Sequence, residues 1–316
     1  MNISRGAWAA RTFAYHAAYN AFARAAPRAA MLVQRVTGDT GRGRGKGGAA
    51  GADYFEAVAS DYETIARASG VGEKLFAGKR VLELGPGDTR AIALLARLAG
   101  AESWEGLDAF DIQSRDRRYV EEIYDCILAR RGERRGSCEL LEGCRMHTSL
   151  DSLARGGRRF DVVVSRAVLE HVRDLGALFA AVARVAKDDA VLVHKVDLRS
   201  HGIEHRHGLD FLRFSETTWR AMSSHVDLPN RVRAPAYLEL GESVGLRTIW
   251  ARTTHVMDAA DADAIRGELA PPFRAMEARD LAVLGLWLVQ VGPAHPLASR
   301  TRAPLGPSPH DDLSHY

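Results

Sequence analysis

The chain has little cysteine: three residues in 316, at Cys126, Cys138 and Cys144, with no pair at metal-ligand spacing. That excludes a disulfide framework and points to a reducing, cytoplasmic setting. No apolar run approaches the ~20 residues of a membrane span. The longest, Leu281–Val289, reads as a buried strand. Residues 4–36 lack the unbroken apolar core of a signal peptide. Acid is scarce at the start. Residues 1–52 hold eight Lys/Arg against Asp39 alone, +7, and because the whole chain carries +3 the remainder is −4. A mildly acidic body is a poor nucleic-acid surface, since phosphate contacts need clustered cations. No nucleic-acid partner is expected.

Two nucleotide signatures are also missing. The run Arg80-Val81-Leu82-Glu83-Leu84-Gly85-Pro86-Gly87-Asp88-Thr89 has the strand, glycine turn and helix start of a nucleotide-binding unit. The dinucleotide fingerprint, however, needs a small residue where Arg90 stands. The Gly41–Gly48 stretch contains Gly45-Lys46, but Gly47 follows and Thr40 replaces the first glycine, so it is no phosphate loop. What remains is a loop whose glycines let the main chain approach a ligand closely. Glu83 beside it favours a cationic ligand group over a pyrophosphate.

A second strand-like run, Ser103-Trp104-Glu105-Gly106-Leu107-Asp108, ends in a carboxylate that can grip ribose hydroxyls. Later comes Phe160-Asp161-Val162-Val163-Val164-Ser165, then Arg166-Ala167-Val168-Leu169-Glu170-His171-Val172. Together these segments resemble the class I S-adenosylmethionine-dependent methyltransferases over residues 80–292, and most of all bacterial small-molecule or sugar methyltransferases. The resemblance implies an α/β fold: a doubly wound, seven-stranded, mostly parallel Rossmann-like sheet, its last strand antiparallel. It implies S-adenosyl-L-methionine as cofactor.

Residues 1–52 read as a basic helical arm and linker. Helical spacing of Trp8, Tyr15, Tyr19 and Phe22 predicts a helix over 4–36 broken at Pro27, and Gly38–Gly51 reads as a flexible linker. The arm, residues 4–36, is either an accessory helix packed on the body or an interfacial helix drawn to anionic lipid or a membrane-bound partner, which would make the protein membrane-peripheral. Residues 53–292 form the methyltransferase domain, with a helical lid at 53–76 and a substrate-cap insertion at 197–240. Strands are expected at 80–84, 103–107, 138–142, 160–165, 190–196, about 246–251 and 281–291. The Pro-rich tail, 293–316, reads as disordered.

Ligands of an open parallel sheet bind beyond the carboxyl ends of its strands, where strand order reverses. The expected cofactor residues are Glu83, Gly85, Gly87, Asp88, Asp108, Cys144, Ser165 and Arg166. By resemblance, the cationic amino-acid end lies near Glu83 and Gly85, the ribose near Asp108 and the adenine near Gly143–Met146. For catalysis, His171 is expected as general base with Asp197 orienting it, and His201 joins them. Arg213, Arg231 and Arg233 offer planar forks for an anionic group, Trp219 and Tyr237 offer ring faces, and Asn230 lies among them. Some quinone-pathway methyltransferases carry a Ser-Glu-x-x-Glu-His metal segment. Here the run from Ser165 to His171 is one residue longer and lacks the first Glu. His194, His201, His205 and His207 read as solvated histidines, so no metal is expected.

The expected reaction is methyl transfer to a small acceptor, an oxygen of a sugar, nucleotide-sugar or glycan intermediate. The alternatives are N- or C-methylation of a secondary metabolite, or a non-catalytic cofactor-binding subunit.

Overall fold

In a computed structural model, residues 4–37, 47–109, 117–149, 153–154, 157–226, 228–301 and 305–307 are described. Two N-terminal helices, α1 (Arg5–Ala25) and α2 (Pro27–Thr37), break at Ala26–Pro27, because the Pro27 ring cannot continue a helix but suits a first turn. Then follow α3 (Gly48–Ala68), β1 (Arg80–Leu84), α4 (Ala91–Leu98), β2 (Ser103–Leu107), α5 (Arg117–Arg130), α6 (Ser137–Leu140), β3 (Arg145–His147) and β4 (Phe160–Arg166). The second half comprises α7 (Leu175–Val185), β5 (Ala186–Asp197), α8 (Glu216–Ser223), α9 (Ala234–Ser243), β6 (Arg247–Val256), α10 (Ala259–Arg266), α11 (Pro271–Arg274), α12 (Ala278–Leu281), β7 (Val283–Val291) and β8 (Gly306–Pro307).

The strands form one sheet in the order β3-β2-β1-β4-β5-β7-β6-β8. The pairs from β3 to β5 are parallel, and β7 runs antiparallel to both β5 and β6. Among the described residues the sheet has eight strands, six of them where expected, the third at a shifted position, and a short eighth. The order reverses between β1 and β4, which opens a crevice at their carboxyl ends.

Alternate residues of each strand feed two cores. Val81, Val162, Val164, Val193 and Trp287 meet α3, α4 and α5 on one face. Leu82, Leu84, Val163, Leu192 and Leu288 meet α7 and α9 on the other. Period-two alternation of apolar side chains on both faces is what a doubly covered sheet requires. A third cluster joins Leu209, Phe211, Trp219 and Met222 to Leu269, Leu281 and Trp8 of α1. The arm is thus seated on the body: Asn20 Nδ2 donates to Ala221 O at 2.8 Å, and Asn20 Oδ1 accepts from His225 N at 2.6 Å.

Several expectations change. The third strand is Arg145–His147, not 138–142. Cys138–Leu140 lies in the short helix α6, and Leu140 and Leu141 turn into the first core. The lid helix starts at Gly48 and ends at Ala68, so the end of the expected linker is helical. Residues 38–46 lie outside the described residues. The tail is structured at its start: Leu297 and Ala298 pack on the first core, Arg300 donates to Ser69 O at 2.9 Å, and β8 pairs with β6. No helix among the described residues is long and apolar enough to cross a membrane.

Candidate active site

The glycine loop sits at the reversal. Gly85 and Gly87 have φ of +62° and +79°, a region open to glycine and strained for other residues. The Gly85 N–H donates to Leu107 O at 2.8 Å, and the Asp108 N–H donates to His147 O at 2.9 Å, so the ends of β1, β2 and β3 are tied together. A Cβ at Gly85 would lie 2.4 Å from Val168, in the loop after β4. A Cβ at Gly87 would meet nothing within 4 Å, so there the left-handed φ alone requires glycine. A left-handed glycine turn flanked by carboxylates fits a nucleoside bearing a cationic amino-acid group. Glu83 is buried and accepts from Trp104 Nε1 at 3.2 Å, Asp88 is buried within the loop, and Asp108 is half-buried at the tip of β2. These five residues could hold the cofactor.

Three other expected cofactor residues are Cys144, away from the crevice, and Ser165 and Arg166, which end β4 and are engaged within the protein. Cys144 precedes β3 and so lies at the amino end of a parallel strand, away from the crevice, where burial pushes its thiol pKa up. Ser165 Oγ and His194 Nδ1 meet at 2.7 Å within the core between β4 and β5. Burial lowers the His194 pKa to about 4, so this imidazole stays neutral. Arg166 points to the opposite face, where Nη1 donates to Asp61 Oδ2 of α3 at 2.5 Å. The Arg166 guanidinium and the Lys195 ammonium each lie 5.8 Å from the Trp287 ring centroid. Burial, then the Arg166 charge, lowers the Lys195 pKa to about 7.

The six residues expected to contact substrate all make contacts within the protein. Arg231 donates to Phe214 O and Glu216 and stacks its guanidinium over Trp219. Arg233 donates to the carbonyls of Leu198, Leu281 and Val283. Arg213 pairs with Asp210 and Glu268. Trp219 and Tyr237 are buried, and Trp219 Nε1 donates to Pro229 O at 3.1 Å. Asn230 Nδ2 donates to Leu169 O and Val172 O, both at 2.8 Å, while its N–H donates to Glu170 O at 2.6 Å. Asn230 therefore clasps the turn that carries Glu170 and His171. The chemistry of a planar cation suits a carbonyl cluster as well as a phosphate, and here carbonyls take it.

The catalytic expectations come together differently. His171 lies on a 3-10 turn (Leu169–His171) after β4, and His201 follows β5 in a turn with φ +51°. Their rings meet edge to face with centroids 4.9 Å apart. Asp197 stands 3.8 Å from His201 Nε2 and is held by the Arg199 guanidinium. The Asp197 carboxylate thus faces His201. Burial alone would raise the Asp197 pKa, but hydrogen bonds from the Arg199 side chain and backbone bring it down overall. Glu170 is buried, and its Oε1 accepts from Asp197 N at 3.3 Å. Ligating atoms of Glu170, His171 and His201 all lie within 4.8 Å of one another.

Two organising residues carry no sequence signal of their own. Asp61 is one acid in an amphipathic helix. Asp210 gathers the His205, Arg206 and His207 amides on Oδ2 and Arg213 on Oδ1. Burial works to raise the Asp210 pKa, and these donors together bring it below the usual value. With the loop so fixed, His205 stacks on Trp8 at 5.7 Å.

The strand order, the glycine turn and the carboxylate at the tip of β2 define a class I methyltransferase fold. A family model described as a methyltransferase domain matches residues 53–249, and the chain belongs to that family. It is an S-adenosylmethionine-dependent methyltransferase. No curated protein matches the chain. Similar solved structures include an S-adenosylmethionine dependent methyltransferase from Mesorhizobium loti, at 17% identity over 72% of this chain and 96% of that one, TM-score 0.41. Another is a cyclopropane-fatty-acyl-phospholipid synthase-like protein from Lactobacillus casei, at 16% identity over 75% of this chain and 91% of that one, TM-score 0.43.

Proposed function

We propose that this enzyme moves the methyl group to an oxygen of a small acceptor, of the sugar, nucleotide-sugar or glycan-intermediate class. The observation that supports oxygen is the meeting of His171, His201 and Asp197 at the carboxyl ends of β4 and β5. An alcohol must lose a proton as it is methylated, whereas a free amine is already nucleophilic. A cluster of imidazole and carboxylate groups is suited to that proton. The sugar class rests on the resemblance carried by the glycine loop and the segment from Phe160 to Val172.

When bound, the cofactor supplies a methyl carbon on a sulfonium. The chain's own part is to align the acceptor oxygen with that carbon and to exclude water. Gly85 and Gly87 give the cofactor close access to the main chain. Asp108 would accept hydrogen bonds from the ribose hydroxyls, and Glu83 and Asp88 would bias the mouth toward the cationic end. His171 and His201 take charge of the acceptor's proton, and Asp197 stabilises the imidazole it faces. Asn230 is a positioning residue that fixes the His171 turn.

The test is an acceptor panel of sugars, nucleotide sugars, amines and carbon acids with the full chain and S-adenosylmethionine, read by mass gain of one methyl. Methylated hydroxyl products are expected. Turnover of amines or carbon acids alone would overturn the oxygen assignment.

A further inference from the structure

We infer that Glu170, His171 and His201 form a binding site for a divalent first-row cation of the zinc, cobalt or manganese class. Sequence spacing does not reveal it, because thirty residues separate the third donor from the second. The fold closes that gap by bringing the ends of β4 and β5 side by side: Ser165 pairs with His194 and Arg166 with Lys195.

The donor set is specific in kind. Two imidazoles and one carboxylate suit borderline ions and are not a typical magnesium set, which is mostly oxygen and water. Metal–ligand bonds of about 2.0–2.2 Å put neighbouring ligand atoms roughly 3–4 Å apart. The three donors lie within 4.8 Å of one another, so small side-chain rotations suffice to enclose an ion.

The site is also built. Glu170 and His171 are consecutive on a turn held by Asn230 through three hydrogen bonds. Glu170 Oε2 and His171 Nδ1 are both buried, whereas His201 is exposed and gives an entry path. Asp197, 3.8 Å from His201 Nε2, adds negative charge beside the donors and can orient that ring. With three protein ligands, coordination positions remain for an acceptor oxygen.

The role of the cation rests on the proposed oxygen acceptor. Bound to the ion, the acceptor hydroxyl becomes more acidic and loses its proton to water as the C–O bond forms. With the ion bound, His171 and His201 act on the acceptor's proton as ligands of the ion that acidifies it; without the ion, they act on it directly as bases.

The direct test is titration of Co²⁺ into the EDTA-stripped full chain, followed by visible absorption. The wild type should show ligand-field bands that saturate near one equivalent. His171→Asn and His201→Asn should each weaken that binding by at least about 10-fold, while His205→Asn should leave it intact. His201 is exposed, so its variant should fold. Absence of bands in the wild type, or equal bands in both the His171 and His201 variants, would overturn the site. Calorimetry with S-adenosylhomocysteine on the same samples reports on the cofactor crevice separately. Product binding without cobalt binding would refute the cation site and leave methyl transfer standing.

Discussion

Asp61 and Arg166 form an ion pair at 2.5 Å with side chains only 3% and 1% exposed. The pair ties α3 to the end of β4, beside the Lys195 ammonium. Asp61→Asn would leave two buried cations near each other with their carboxylate gone. A loss of about 3–5 kcal/mol in urea unfolding is expected. A loss under about 1 kcal/mol would show that the pair contributes little to holding α3 on the sheet.

Lys195 sets a pH dependence of stability. Its pKa is lowered to about 7 in the folded chain, against about 10.4 when unfolded. Between those values the unfolded chain binds more protons, so unfolding free energy should rise with pH. The rise should amount to a few kcal/mol. Lys195→Met should remove this component and be more stable than wild type below pH 7. Parallel pH profiles for the two proteins would contradict a desolvated lysine.

Cofactor affinity should depend on the glycine loop and on Asp108. Gly85→Val forces a branched side chain into a left-handed backbone and against Val168, and should abolish binding. Asp108→Ala should cost on the order of 1.5–3 kcal/mol of S-adenosylmethionine affinity through loss of a charge-assisted hydrogen bond. Calorimetry with unchanged affinity in both variants would refute the crevice as the binding site.

Much of this was legible from residues alone. The glycine turn, Asp108 and the apolar run 160–165 mark β1, β2 and β4, because a strand covered on both faces needs continuous apolar residues. β3 was not legible. It is a short edge strand of Arg145, Met146 and His147, whose His147 and Glu105 meet at 2.6 Å, so polar pairing replaces the expected apolar pattern. The partners of the expected substrate arginines were not legible for a different reason. Sequence shows that Arg231 and Arg233 carry forks of donors, but not whether phosphate or buried carbonyls will accept from them. His201 acquired its neighbours only through the parallel pairing of β4 with β5.

Asn230 should act on catalysis at a distance from the methyl group. Asn230→Ala leaves the Leu169 and Val172 carbonyls without their side-chain donor, at about 1–3 kcal/mol of stability. The loosened turn should lower kcat while S-adenosylhomocysteine affinity holds, since the glycine loop is untouched. Equal losses in both would mean that the turn supports the cofactor rather than the acceptor.

The proposed reaction depends on the histidine cluster beyond the glycine loop to handle the acceptor's proton. The measurement is kcat of His171→Ala on a hydroxyl acceptor, with S-adenosylhomocysteine affinity read on the same protein. Positioned proton removal is typically worth 10²–10⁴-fold. A fall in kcat of about that size is expected, with product affinity unchanged. Full activity in the variant would contradict it.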